Sequence, residues 1–296
     1  MERNQFLKTL SLLTLSGGTM KLNALTRLTA EFKRTDPLPI LFLGHGSPMN
    51  AIEDNEFTRG FRAMGEQIGK PKAILCISAH WETRGTFITG MTHPPTIHDF
   101  GGFPQALYDV QYPAPGSPEL AQVTKELVEE TKVEITDEWG LDHGAWSVIL
   151  HMYPEADVPV IEMSMDYTKG PHFHYDLGKA LNALRERGVL IIGSGNLVHN
   201  LRMVAWDRLD APGFAYDWAD EARSKINQWI LSDNHGALID YQKQGRALQL
   251  AVPTPDHYLP LLYMLGLKNN RDEVRLFNDK PIGGSLTMTS VMISPS

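Results

Sequence analysis

Leu41-Phe42-Leu43-Gly44-His45-Gly46-Ser47-Pro48 is an apolar run, opened at Pro39, that ends in a histidine bracketed by glycines. The pattern returns at Ala73-Ile74-Leu75-Cys76-Ile77-Ser78-Ala79-His80. It returns again at Val189-Leu190-Ile191-Ile192-Gly193-Ser194-Gly195-Asn196, which leads on to His199. Short, continuous apolar runs of this kind read as strands buried on both faces. In an open parallel sheet, ligands gather outside the carboxyl ends of the strands. Three such strands, each with a histidine at or just beyond its end, predict a cluster of imidazoles along that edge.

Outward from these runs the chain alternates. Strands are expected over 38–43, 73–78, 86–89, 133–136, 158–165, 189–192 and 286–293. Residues 50–70 carry Phe57, Phe61, Met64 and Ile68 at helical intervals. Further helices are expected over 118–131, 147–152, 172–187 (closed by Gly188), 218–231 and 237–242. One more is expected to open at Thr254-Pro255-Asp256-His257-Tyr258 and run through 259–265. Strand–helix alternation over most of the length predicts an α/β fold: a three-layer single domain, residues 37–296, with a mostly parallel central sheet flanked by helices. Residues 92–118 form a long loop rich in Phe, Tyr, His and Pro. Long loops in compact domains are commonly functional, and this one suits the wall of a pocket.

Residues 1–36 stand apart as an N-terminal extension. Leu22, Leu25, Leu28 and Phe32 recur at helical spacing, which suits an arm packed on the body. Residues 6–15 weakly resemble a leader, but with one nearby arginine and no clear cleavage site. A cytoplasmic location is therefore expected, with export the alternative if residues 1–19 act as a leader. No run reaches the roughly 18 apolar residues of a membrane span.

The 296 residues include 27 basic and 35 acidic side chains, a net charge of −8 with no long basic run, which argues against nucleic acid or an anionic membrane as partner. The single cysteine, Cys76, lies in an apolar strand, so no intrachain disulfide is possible. A homo-oligomer is left open.

The 11 histidines invite metal chemistry. His45 and His80 end apolar runs, where a neutral ring can face a cleft, and imidazole is the commonest ligand for zinc or non-haem iron. His257 follows Pro255 at an expected helix start, where the dipole favours the neutral ring. His199 and His143 lie in loops. Asp142 could orient His143, from where it could reach a substrate proton as acid or base. His98, in the aromatic loop, is a candidate substrate contact. His93, His151, His172, His174 and His235 read as structural or solvated. There is no serine nucleophile elbow, no dinucleotide or P-loop glycine spacing, and no His-Glu-x-x-His zinc motif.

Six blocks carry a resemblance: Leu43-Gly44-His45-Gly46-Ser47-Pro48-Met49, Ser78-Ala79-His80-Trp81, Pro95-Thr96-Ile97-His98-Asp99-Phe100-Gly101-Gly102-Phe103, Gly140-Leu141-Asp142-His143-Gly144-Ala145-Trp146, Gly195-Asn196-Leu197-Val198-His199-Asn200 and Pro253-Thr254-Pro255-Asp256-His257-Tyr258-Leu259-Pro260. In this order they resemble the DOPA 4,5-dioxygenase type of class III extradiol ring-cleaving dioxygenases, from about residue 38 onward. The resemblance implies one α/β domain holding one divalent metal, Zn(II) or Fe(II). It implies a small aromatic substrate, a catechol, opened by O2 beside its hydroxyl carbons. His45 and His80 match the family's metal histidines. His143 and His199 match positions that act on substrate protons. In the bacterial branch His199 and His257 are also grouped with the metal. The wider superfamily completes its site with a glutamate, where this chain has His257 beside Asp256. Zinc has no redox chemistry. A zinc-dependent hydrolase on the same scaffold, or a non-catalytic metal-binding protein, are therefore the alternatives to a dioxygenase. Trp81, Phe103, Trp146 and Tyr258 are candidates for the aromatic wall.

Overall fold

The computed structural model describes residues 26, 27, 32–129, 131–209, 211 and 213–296. In chain order the elements are β1 (Ile40–Gly44), α1 (Glu56–Ile68), β2 (Ala73–Thr83), β3 (Thr86–Thr89), α2 (Gln105–Tyr108), α3 (Pro118–Leu127), β4 (Val133–Thr136), α4 (His143–Met152), β5 (Val160–Asp166) and α5 (Pro171–Ala180). They continue with β6 (Val189–Gly195), α6 (Asp217–Leu231), α7 (His235–Ile239), α8 (Arg246–Ala251), α9 (Leu259–Leu267), β7 (Glu273–Phe277), β8 (Pro281–Ile282), β9 (Leu286–Thr287) and β10 (Ser290–Ser294). The main sheet has the order β4-β3-β5-β2-β6-β1-β10-β7. Its centre, β5-β2-β6-β1, is parallel, and β10 and β7 extend it antiparallel.

The three layers follow from the strand sequences. Ile40 and Phe42 of β1, Leu75 and Ile77 of β2, and Val189 and Ile191 of β6 point into one apolar core with α5, α6 and α9. Leu41 and Leu43, Ile74 and Cys76, and Leu190 and Ile192 point into the other with α1 and α4. Residues that alternate across a strand can all be apolar only if both faces are covered. The α/β, three-layer, mostly parallel architecture expected from the sequence is the one observed. Among the described residues no helix is long and apolar enough to cross a membrane.

Several local expectations are corrected. β2 runs on to Thr83, with a shift of register against β5 between Ile77 and Glu82, so His80 sits inside an irregular strand. Such bulges re-aim side chains and occur beside active sites. The helix expected over 172–187 splits into α5 and a 3-10 turn, Asn182–Arg187, before Gly188 at φ +78°. The helix beyond His257 starts only at Leu259, with proline in its first turn, so His257 sits in the preceding turn. The strand expected over 286–293 divides between β9, which pairs with β8, and β10. β7 was not expected, because Glu273, Val274 and Arg275 give an edge strand too little apolar character. The arm positions Leu22, Leu25 and Leu28, and residues 1–19, lie outside the described residues.

Candidate metal centre

β1 and β6 run parallel to the pair Gly44–Gly195, and β2 and β6 to Ser78–Ser194. The chain segments that leave these ends meet at one point. His45 follows β1 directly, and its N–H donates to Gly195 O at 3.2 Å. His257 arrives because the N–H of Asn196 donates to its carbonyl at 2.8 Å. That approach needs glycine at the end of β6: a Cβ on Gly195 would lie 2.2 Å from His257 O. Gly144 serves the same purpose in α4, where a Cβ would meet Ser78 Oγ at 2.5 Å and His80 Cδ2 at 2.8 Å.

Each ring has an acceptor at Nδ1. Ser194 Oγ lies 2.9 Å from His45 Nδ1 and donates its own proton to Gly144 O, so it accepts from the ring. Asp256 accepts from His257 Nδ1. Asp99 Oδ2 lies 3.2 Å from His80 Nδ1. With the proton on Nδ1, each ring keeps a lone pair on Nε2. His45 Nε2 and His80 Nε2 face each other at 3.2 Å. One nitrogen from each of His45, His80 and His257 falls in a set whose atoms all lie within 4.8 Å of one another. Two facing lone pairs repel unless a cation lies between them. Imidazoles bonded to one ion at roughly 2.0–2.1 Å place their nitrogens roughly 3.0–3.4 Å apart, so the donor set fits a single metal ion.

Burial pulls His45 and His80 well below the ordinary histidine range, and the neighbouring rings reinforce this, so both rings are neutral and could serve as ligands. His199 is pulled down to about 3, first by burial and then by His257. It stacks on His257 with ring centroids 3.5 Å apart and planes 11° apart. Its nitrogen joins Asp256 and His257 in a second set, beside the first and not within it. Burial pushes the Asp256 carboxyl up, but its bond to His257 outweighs this and holds it well below the usual carboxylate range.

His143, expected in a loop, is the first residue of α4 and is buried. Its ring centroid lies 3.8 Å from that of His80 and 5.7 Å from that of His45. Asp142 does not orient it. The Asp142 carboxylate caps α4, accepting from Ala145 N and from Ser78 Oγ, while its own N–H donates to Glu162 Oε1. The residue against His143 is Asp99: Oδ1 accepts from the His143 N–H at 2.9 Å and Oδ2 lies 2.9 Å from Nδ1. Beneath the site, burial raises both Asp142 and Glu162; the charge of Asp99 raises Asp142 further, and that of Asp142 raises Glu162.

The aromatic loop folds over His143. Phe100 meets its ring edge-on at 5.5 Å and packs against Phe103 at 5.4 Å. Of the four expected wall residues, only Phe103 stands there. Trp146 and Tyr258 are fully buried and donate to Ile97 O and Leu238 O, and Trp81 stacks on Trp139 in the core. His98 bonds Val110 O and pins the loop to itself. His151, His174 and His235 pair with Asn50 O, Tyr263 Oη and Tyr175 Oη, while His93 and His172 are exposed. Asp99 and Ser194 lie against ring nitrogens, a placement that the sequence alone does not show. The only signal is their neighbours: Asp99 follows His98 within the block 95–103, and Ser194 sits between two glycines in the run that leads to His199.

Residues 39–284 match the family described as the catalytic LigB subunit of aromatic ring-opening dioxygenase. Over 261 residues the chain is 46% identical to the 4,5-DOPA dioxygenase extradiol of Escherichia coli (strain K12), covering 86% of this chain and 94% of that protein. It is 38% identical to the protein of the same name from Beta vulgaris, over 84% of this chain and 94% of that one. The corresponding Mirabilis jalapa protein is 36% identical, over 80% and 89%. A crystal structure of an uncharacterized protein from Escherichia coli K12 superposes with a TM-score of 0.73 at 39% identity, covering 87% of this chain and all of that one.

Proposed function

Because the chain belongs to the LigB family of aromatic ring-opening dioxygenases and is an extradiol ring-cleaving dioxygenase, we propose that its substrate is a catechol of the DOPA type, opened with O2 at a single Fe(II) held by His45, His80 and His257. The observation that carries this reading is the pair of neutral imidazole nitrogens facing each other at 3.2 Å, with His143 and an aromatic loop beside them. Iron bound there supplies a place for the catechol hydroxyls and O2 to meet and a path for electrons between them.

The chain's own residues do the rest. His143 takes the proton of a catechol hydroxyl and returns it as the ring opens. Its position against Phe100 supports this, since a flat aromatic ring lying by the loop would present its hydroxyls to the histidines. Phe100 and Phe103 cover the substrate face and exclude water. His199, stacked on His257, is a second proton-handling group and an additional donor to the metal.

The test is to prepare the chain free of metal, reload it without oxygen with Fe(II) or Zn(II), add DOPA and simpler catechols, and admit O2. The expected result is a yellow ring-opened product and one O2 consumed per catechol with iron, and neither with zinc. No product from any catechol with iron overturns the proposal. Oxygen-independent turnover with zinc points to the hydrolase alternative.

A further inference from the structure

We infer that Asp99 is a positioning residue shared by two rings, holding His80 in the orientation a metal ligand needs and His143 in the orientation an acid or base needs. The inference rests on the proposed roles of those two histidines. Asp99 Oδ2 lies 3.2 Å from His80 Nδ1 and 2.9 Å from His143 Nδ1, and Oδ1 accepts from the His143 backbone N–H at 2.9 Å. His143 Nδ1 is buried and has no well-aligned hydrogen-bond partner, so Asp99 is the acceptor within its reach. The contact is off the N–H axis, as catalytic hydrogen bonds often are until substrate tightens them.

Other candidates for this work are committed elsewhere. Asp142 caps α4 and binds Ser78, and Asp256 binds His257. A carboxylate is required because the position needs two acceptor oxygens, one for the backbone N–H and one for the rings. An amide offers one acceptor and turns two N–H donors toward ring N–H groups. Asp99 also precedes Phe100, so the covering loop and both histidines are tied through one side chain. A substrate that displaces the loop would loosen a metal ligand and the proton-handling ring together.

The test compares wild type with D99N, D99E and D99A. Zinc affinity is measured by chelator competition, and kcat and KM are measured on the iron-loaded protein with a catechol. For D99N, the zinc dissociation constant is expected to rise tenfold or more and kcat to fall tenfold to hundredfold, with KM within threefold of wild type. D99E restores two acceptors and is expected to bind zinc at least threefold more tightly than D99A. Zinc affinity and kcat of D99N within twofold of wild type overturn the inference. So does a change in KM alone, or D99E binding zinc no better than D99A. A wild-type chain that binds no zinc and opens no ring overturns the proposed function itself. A competent wild type matched by D99N overturns only the role of Asp99.

Discussion

Replacing Gly195 by alanine adds one methyl group at the end of β6, and its effect can be worked from the coordinates. The new Cβ would lie 2.2 Å from His257 O, 3.0 Å from its carbonyl carbon and 3.4 Å from the Phe42 ring. Carbon meets oxygen comfortably at roughly 3.3 Å, so the backbones must part by about 1 Å. Neither partner is a flexible side chain end. The bond from Asn196 N to His257 O, 2.8 Å long, spans the same gap and is lost with it. Overpacking of this kind costs about 1–3 kcal/mol and the hydrogen bond about 1 kcal/mol more. For a domain of this size that lowers the melting temperature by about 4–7 °C. His257 moves away from the facing pair of His45 and His80, so zinc affinity should fall about tenfold or more. The matched control is Gly236→Ala in the first turn of α7, where a Cβ meets nothing closer than 4.0 Å and helix propensity gains up to about 1 kcal/mol. Scanning fluorimetry and chelator competition read both effects. A Gly195→Ala protein that melts within 2 °C of wild type and binds zinc within twofold would refute the close-approach argument.

Two further outcomes concern the buried ionisable groups. Burial first, and Asp142 second, raise Glu162 well above the carboxylate range, so the folded protein keeps it protonated. The native state then binds a proton that the unfolded chain releases, and this stabilisation is lost as pH rises above the ordinary carboxyl value. Glu162→Gln should hold the melting temperature within about 3 °C and flatten that decline, whereas Glu162→Ala should destabilise strongly; equal losses from both would show that the side chain is charged. His174 is pulled down to about 4 by burial, so the unfolded chain takes up a proton between about pH 6.5 and 4 that the folded chain refuses. Stability should fall by about 3 kcal/mol across that window as pH drops. Urea midpoints at pH 7 and pH 4.5 should draw closer in His174→Gln, and an unchanged gap would contradict the assignment.

The central sheet could be read from the chain because β1, β2 and β6 are apolar on both faces, a pattern that few other environments produce. The edge strands could not. Glu273-Val274-Arg275 in β7 and the two-residue β8 and β9 owe their conformation to neighbours rather than to composition. The places of His45 and His80 at strand ends point to their convergence, and His257 is legible only as a neutral ring at a helix start; His143, expected in a loop, opens α4 because Asp142 caps that helix instead of pairing with its neighbour. Trp146 and Tyr258 are fully buried, and each has a polar tip satisfied by a backbone carbonyl, Ile97 O of the aromatic loop for the first and Leu238 O for the second. Asp99 stayed unassigned because its partners lie 19 and 44 positions away, and nothing in local spacing shows which loop carboxylate reaches which ring.

The place of β10 bears on how the chain is made. Ile40–Gly44 emerges early, yet one flank of that strand waits for Val189–Gly195 and the other for Ser290–Ser294, far later in the chain. Until Ser290–Ser294 has emerged, the nascent polypeptide carries an apolar β1 with an open hydrogen-bonding edge, the kind of surface on which chains associate wrongly. Deleting Ser290–Ser294 would make that temporary exposure permanent, far in sequence from the histidines proposed to hold the metal.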